Sequence, residues 1–200
     1  MWSIDNYRYV FAAIGVLGVV VLFIPTVASF VPVPSGETFS ELYLLGSERM
    51  MSEYPYNVAP DTEYTVYLGT VNHMGRTEYY RALVKFRNTT EPLPNTAEGT
   101  PSNIPTVYSY NIILGDGQTW ERTLSFSVAN VTFAQNESSV GSIGINGVWT
   151  EVHKSTLPDN TTGEYKYGLL VELWVYDTAK SDFVYHNRFV NLNLNMTRPA

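Results

Sequence analysis

The chain has 200 residues, with 12 Lys and Arg against 19 Asp and Glu, and its formal net charge is -7. This acidic balance argues against a nucleic-acid-binding surface, because phosphate contacts require clustered Lys and Arg. The sequence has no cysteine, which excludes disulfides, thiolate catalysis and cysteine-ligated metals. Hydrophobic residues make up 44% of the chain and charged residues 16%, so a sizeable folded core is expected.

The N-terminal segment is strongly apolar. Residues 10–24 read VFAAIGVLGVVVLFI without a charge, and the apolar character resumes after Pro25. Continued to Phe30, a helix rising 1.5 Å per residue would span roughly 30 Å, which matches the hydrocarbon core of a bilayer. The sequence therefore predicts a transmembrane helix, with residues 10–30 in contact with lipid.

The flanks of this segment predict its orientation. Arg8 precedes it and two glutamates follow it, so the positive-inside rule places the N terminus in the cytoplasm and the remainder outside the cell. A cleaved secretory signal is the alternative, since small residues near Ala28 follow the apolar run. Against that alternative, Asp5 lies beside the only basic residue of the preceding region. We predict a retained single-pass anchor in the cell membrane.

The rest of the chain alternates apolar and polar residues with the period of two that is typical of β-strands. The clearest runs are residues 80–86, 123–128, 169–175 and 190–196, and further strands are predicted at 39–45, 64–71, 107–114 and 148–153. Eight or nine strands favour an immunoglobulin-like two-sheet β-sandwich, although periodicity alone also fits a closed barrel. Residues 1–36 are thus predicted as anchor and proline-rich linker, and residues 37–200 as one extracellular β-sandwich domain.

Turn residues and strand parity add local predictions. Asn146-Gly147 predicts a type I′ hairpin turn, because both residues tolerate a positive φ. The four prolines of residues 91–106 predict a long crossover loop within one sandwich. Lys85 and Glu172 fall on the outward parity of their strands, so both are predicted to lie in solvent, Glu172 as a solubilising charge.

Five asparagines begin the triplet that accepts N-linked glycans: Asn88, Asn130, Asn136, Asn160 and Asn195. Four of them fall at strand ends, in polar loops or on a solvent-facing parity. Asn130 is the exception, because it continues the inward parity of residues 124–128. Together with the predicted anchor, these sites indicate a glycosylated exterior surface.

No catalytic or metal-binding pattern stands out. The three histidines lack the close spacing of helical zinc sites: His73, His153 and His186. The acidic residues near predicted turns do not follow the calcium-loop pattern of an EF-hand: Asp159, Glu164, Asp177 and Asp182. A G-x-S-x-G motif and a glycine-rich phosphate loop are both missing. We therefore predict a protein that is not an enzyme and that needs no metal or other cofactor.

Aromatic residues are the richer signal, with 15 tyrosines and 4 tryptophans. Such side chains fill sandwich cores, and they also anchor protein contacts or stack on sugars. Trp174 and Tyr176 point away from the apolar face formed by residues 169–175. They are the first candidates for a partner surface.

A family resemblance rests on three motifs. Residues 39–46 read FSELYLLG, residues 54–57 read YPYN, and residues 64–73 read YTVYLGTVNH ahead of Tyr79 and Tyr80. This series resembles the archaeal membrane-protein family catalogued as domain of unknown function 1616. The match is most specific between Phe39 and Asn88. Met74 departs from the family pattern, where a glutamate usually follows the histidine, and many relatives carry several membrane spans.

The resemblance implies an archaeal cell-envelope protein and supplies no reaction. Within its motif, Asn72 and His73 are expected to serve the fold by fixing the turn before Tyr79. The leading hypothesis is a surface protein that acts as a structural or protein-interaction module, as a subunit of an envelope assembly. The alternatives are a filament or surface-layer building block that joins copies by strand addition, and a carbohydrate-binding module with exposed aromatics.

Overall fold

The structure is a computed structural model, and it describes the backbone of residues 4–28, 37–134 and 136–198. Side chains are described for residues 7–21, 37–134 and 136–198. The predicted linker at residues 31–36 lies outside the described residues. The chain divides into two compact units, Met1–Thr38 and Phe39–Ala200, and each is considered by itself.

Among the residues described, the first unit forms one helix, α1, from Ile4 to Ala28. Its large apolar side chains between Val10 and Val21 are exposed. Within the described residues, no helix combines the length and the apolar character that crossing a membrane requires. The predicted transmembrane span is therefore unsupported by the structure.

The described residues of the second unit form ten strands: β1 (Phe39–Leu45), β2 (Asn57–Val58), β3 (Tyr64–His73), β4 (Glu78–Asn88), β5 (Thr106–Leu114), β6 (Thr119–Ala134), β7 (Glu137–Ile145), β8 (Val148–Thr156), β9 (Tyr165–Asp177) and β10 (Asp182–Met196). They form two five-stranded sheets. The first sheet has the order β1-β3-β6-β7-β8 and the second the order β2-β10-β9-β4-β5. All pairs are antiparallel except β2 with β10. The prediction of a mainly β chain with a two-sheet sandwich is confirmed.

The core lies between the two sheets, and its residues follow the predicted parity. Leu124, Phe126 and Val128 of β6 are fully buried, as are the alternating residues of β4 from Tyr80 to Phe86. Burial of the apolar side chains on the two inner faces is the main force that holds the sheets together.

The turns define two ends of the sandwich. The proximal end holds the start of β1 and four turns, at residues 74–77, 115–118, 146–147 and 178–181. The distal end lies at the opposite ends of the strands. Asn146 and Gly147 have φ values of 50° and 80°, which confirms the predicted type I′ turn.

The proline-rich segment between β4 and β5 differs from its prediction. It is not a crossover, because β4 and β5 are neighbours in the second sheet. The segment instead folds over the outer face of that sheet, where Ser102 is buried against Glu172. The backbone N–H and the hydroxyl of Ser102 donate to Glu172 Oε1 over 2.8 and 2.7 Å.

This covering segment also overturns the prediction that Lys85 and Glu172 lie in solvent. The Glu172 side chain is 0% exposed and the Lys85 side chain 4%, and they form an ion pair of 2.8 Å. Lys85 Nζ also donates to the carbonyl of Ser102 over 2.8 Å. A period of two separates the core face of a strand from its outer face, but it does not reveal a distant loop that covers the outer face.

Candidate functional site

The motifs that carry the family resemblance pack on one another. The ring of Tyr43 lies over Gly69, where a Cβ atom would come within 2.1 Å of it. The hydroxyl of Tyr54 donates to the carbonyl of Leu44 over 2.8 Å. A Cβ at Gly46 would stand 1.9 Å from a backbone oxygen of the following loop. These motif residues therefore serve the fold.

A buried polar cluster lies at the proximal end of the sandwich. The Asn72 side chain accepts a hydrogen bond from the Met74 N–H and donates to the Arg76 carbonyl, so it fixes the turn before β4 as expected. The Tyr80 hydroxyl donates to Asn72 Oδ1 over 3.0 Å and lies 2.8 Å from Ser40 Oγ. The cluster thereby ties β1, β3 and β4 together.

A bulge in β10 brings a histidine to this cluster. The pairing of β10 with β9 shifts between Tyr185 and Arg188, and Asn187 has a φ of 55°. This irregularity places His186 Nε2 3.0 Å from Ser40 Oγ. Burial lowers the pKa of His186, and the nearby Arg188 guanidinium lowers it further.

A polar pocket of about 450 Å³ opens beside His186. Arg76 and Glu78 line it as an ion pair of 2.6 Å, and Tyr176 and Asp177 of the neighbouring strand β9 line it as well. The pocket gathers a histidine and two carboxylates, a grouping that the linear sequence does not reveal.

The geometry of the buried polar cluster indicates a structural role. Ser40 and His186 stand at the separation of a nucleophile and its base. However, Ser40 is only 1% exposed, and its hydroxyl also contacts Tyr80. A substrate in the pocket has no access to a hydroxyl held in this way. The pair therefore joins β1 to β10 across the sandwich edge.

The acidic residues considered for calcium fall into two separate turns. Asp159 and Glu164 lie at the distal end, where the Lys166 ammonium lowers the pKa of the Asp159 carboxyl, with help from the backbone N–H of Thr162. Asp177 and Asp182 flank the β9–β10 turn at the other end. In the part of the chain that the structure describes, no three histidine or acidic side chains are grouped so as to hold a metal ion.

Four residues pack together on the outer face of the second sheet, and we call them the aromatic surface: Tyr79, Tyr176, Phe183 and Arg81. The Phe183 ring packs edge to face against Tyr79 and Tyr176, with centroids 4.9 and 5.4 Å apart. The Arg81 guanidinium covers the Phe183 ring at 3.9 Å. The three rings come from β4, β9 and β10 and are half-buried. They form an apolar surface bordered by the Arg81 guanidinium.

The two predicted partner residues have different surroundings. Tyr176 belongs to the aromatic surface and also lines the polar pocket. Trp174 packs against Tyr185 and donates its indole N–H to Glu172 over 3.1 Å. Trp174 thus supports the buried ion pair from its outer side. Tyr79 and Phe183 share the outer face with Tyr176, although neither was predicted as a partner residue.

The five glycan-acceptor sites separate by exposure. Asn130, Asn136 and Asn160 are exposed. Asn130 has a φ of 54°, and this left-handed backbone conformation turns it out of the inward parity that its strand position suggested. Asn88 and Asn195 are half-buried, and both atoms of each amide are hydrogen-bonded.

We expect glycans on the three exposed sites and none on the other two, because a glycan can be attached only to an open side chain, whereas those of Asn88 and Asn195 are half-buried and hydrogen-bonded at both the oxygen and the nitrogen. Mass spectrometry of the protein from its native membranes checks this. Replacing Asn160 with Gln should remove the mass of one glycan, whereas the matched change Asn195→Gln should leave the glycan mass unchanged. Occupied Asn88 or Asn195 would contradict the expectation.

Fold and surface together define a mainly β protein whose two-sheet sandwich presents an aromatic surface beside a polar pocket. The chain belongs to the family described as Domain of unknown function (DUF1616), which matches residues 33–140, more than half of its length. The family resemblance is thereby confirmed. The archaeal origin that it implies stays a prediction. No curated protein matches the chain.

Two solved structures show a distant resemblance to the chain. A chain from the complex of Zinc 2-glycoprotein and prolactin inducible protein from human seminal plasma aligns with a TM-score of 0.38 and 8% identity, over 82% of this chain and 99% of that one. The β-glucosidase from Listeria innocua in complex with gluconolactone aligns with a TM-score of 0.37 and 12% identity, over 80% of this chain. This chain spans 16% of that enzyme's length. At these scores the likenesses carry no functional argument.

Proposed function

We propose that this protein is a membrane-attached cell-surface module that binds a protein partner through its aromatic surface and performs no catalysis. The observation that carries the proposal is the packing of Tyr79, Tyr176 and Phe183 beside Arg81 on the outer face of a sheet. Aromatic residues and arginine dominate the energetics of protein interfaces, and rings that are already held in place lose little entropy on binding.

The proposal includes attachment to the membrane through the N-terminal segment, with the sandwich outside the cell. The support is the run of exposed apolar side chains in α1, which needs a nonaqueous environment, and the charges that flank it. N-linked glycans on the exposed sites belong to the same proposal. We also propose an immunoglobulin-like arrangement of the sandwich, supported by its two antiparallel five-stranded sheets.

The geometry favours a protein partner over a carbohydrate. Sugars stack on aromatic ring faces that are open to solvent. Here Arg81 covers a face of Phe183, and the neighbouring rings stand at 72° to it. Trp174 is half-buried with its indole N–H engaged. The cluster therefore presents an uneven apolar surface, which suits the side chains of another protein.

The test is purification of the full chain from native membranes in mild detergent, with quantification of the proteins that copurify. Replacing Tyr176 and Phe183 with Ala should lower recovery of the partner at least about tenfold, since truncating interface anchors costs about 2 kcal/mol or more. The matched control is Trp149→Ala, which removes an aromatic side chain, 53% exposed, from the other sheet.

Two outcomes would contradict the proposal in separate ways. Equal partner recovery from the double variant and the control would remove the aromatic surface as the binding site. Release of the protein from membranes by alkaline carbonate would contradict membrane attachment. Partner binding would not be affected by that result, because the copurification experiment tests it separately. Displacement of the copurified partner by soluble glycan would favour the carbohydrate-binding alternative.

A further inference from the structure

The free edges of the two sheets differ in how they are protected. On β1, the carbonyls of Ser40 and Leu44 accept hydrogen bonds from Arg188 and Tyr54. On β8, the carbonyl of Ser155 accepts one from Asn88. The edge strand β2 is only two residues long. Side-chain caps and short strands are the usual protection against pairing with another chain.

The remaining edge strand, β5, has one such cap, at the Val107 carbonyl, which accepts a hydrogen bond from Thr150 over 3.3 Å. None of the described side chains caps the carbonyls of Ser109, Asn111 and Ile113. Its nine residues read TVYSYNIIL and contain no charge and no proline. Ser109, Asn111 and Ile113 are exposed on the outer face of the second sheet, and the Ile113 side chain is 70% exposed. A long, uncharged edge strand with β-branched residues is the type that adds a further strand.

The same three residues also have the backbone N–H and C=O groups that can hydrogen-bond to an added strand. On β10, Asn195 has its side chain on the outer face and donates its N–H to Tyr56, away from β9. In two strands that run in opposite directions, chain chirality points the backbone N–H and C=O groups of outer-face residues to opposite sides. Because β5 runs opposite to β10, the N–H and C=O groups of Ser109, Asn111 and Ile113 point away from β4, to the open edge.

We infer that β5 pairs in antiparallel fashion with β5 of a second copy of this chain, so that the protein forms a two-fold symmetric dimer through a continuous sheet. A two-fold axis at Asn111 pairs Asn111 with its counterpart and Ser109 with Ile113 of the other copy. This register uses all three residues that have free backbone groups, and it covers Ile113.

The absence of charge on β5 suits a second copy as the occupant, because a charged edge would meet its own like charges in a self-pairing. Two chains that each carry a net charge of -7 repel at long range, but β5 has no charged residue, so the pairing places no like charges directly opposite. An isologous contact closes on itself at two copies. The outer faces of the two sheets become continuous across the axis. The inference goes beyond partner binding by the aromatic surface and does not depend on it.

The first test uses proline, which lacks the N–H that strand addition needs but is tolerated on edge strands where that N–H faces solvent. The full chain in detergent should have the protein mass of a dimer by light scattering. Ser109→Pro should halve that mass, whereas the matched change Ser109→Thr, which retains the N–H, should not. Circular dichroism and the unfolding temperature verify that both variants are folded.

The second test uses the absence of natural cysteine, and it stands even where Ser109→Pro fails to fold. A hydrogen-bonded antiparallel pair has Cα atoms about 5.5 Å apart, within disulfide range. Asn111→Cys should therefore form a covalent dimer on mild oxidation, and Leu157→Cys, on an exposed distal loop, should stay monomeric. A monomeric mass for the unaltered chain, or equal cross-linking of the two cysteine variants, would overturn the inference. So would a dimer that Ser109→Pro leaves intact while folded.

Discussion

Replacing Lys85 with Met should lower the free energy of unfolding of the sandwich by about 3–5 kcal/mol, because it leaves the Glu172 carboxylate buried without its counter-charge. The carboxylate retains its hydrogen bonds from Ser102 and Trp174, but these donors are neutral. Urea unfolding followed by tryptophan fluorescence measures the change, since three of the four tryptophans lie in the sandwich.

Two further variants isolate the cause. The double change Lys85→Met with Glu172→Gln removes both charges and retains an acceptor for Ser102, so most of the lost stability should return. Lys180→Met breaks an exposed pair with Asp177 of 3.9 Å, and it should change stability by less than about 0.5 kcal/mol. A double variant as unstable as the single one would show that the charge is not the cause.

Replacing Tyr80 with Ala should cost about 3–5 kcal/mol, the range for truncating a buried aromatic side chain. Tyr80 is 0% exposed, and its hydroxyl joins Ser40 and Asn72 at the proximal end. The substitution therefore creates a core cavity and opens the polar cluster that holds β1 against β4. The same fluorescence-detected urea unfolding measures the loss.

The neighbouring tyrosine gives the matched control. Tyr79 is half-buried on the outer face, so Tyr79→Ala should lower stability much less than Tyr80→Ala and should reduce partner binding instead. Tyr80→Phe keeps the ring and loses only the hydroxyl, so we expect a cost of about 1–2 kcal/mol. Equal costs for Tyr79→Ala and Tyr80→Ala would contradict the assigned burial of these two side chains.

Local patterns were sufficient for the elements of the sandwich. The strand predicted at 39–45 has those bounds in the structure, and those predicted at 64–71 and 107–114 differ by at most two residues at either end. The alternation of apolar and polar residues predicts which face of a strand is buried, and the Asn146-Gly147 pair predicts a turn. Both signals depend only on residues that are neighbours in sequence. Parity also put Tyr176 on the outer face, where the aromatic surface lies.

Non-local contacts account for what sequence reasoning missed. His186 reaches Ser40 only through a bulge, and a register shift has no signature in hydrophobic periodicity. The exposure of Asn130 depends on its left-handed backbone conformation, which hydrophobic periodicity does not reveal either. The open edge at β5 became apparent only from strand order, since edges are a property of the assembled sheet.

By itself, then, the amino-acid sequence determined the β-class, the inward faces, the tight turns and the family, because each depends on residues close together in the chain or on motif content. Tertiary structure alone decided that Lys85 and Glu172 are buried, that β5 is free and that three aromatic side chains from separate strands meet. Those features arise when segments up to about a hundred residues apart come into contact, and the free energy of such contacts depends on packing that no local pattern encodes.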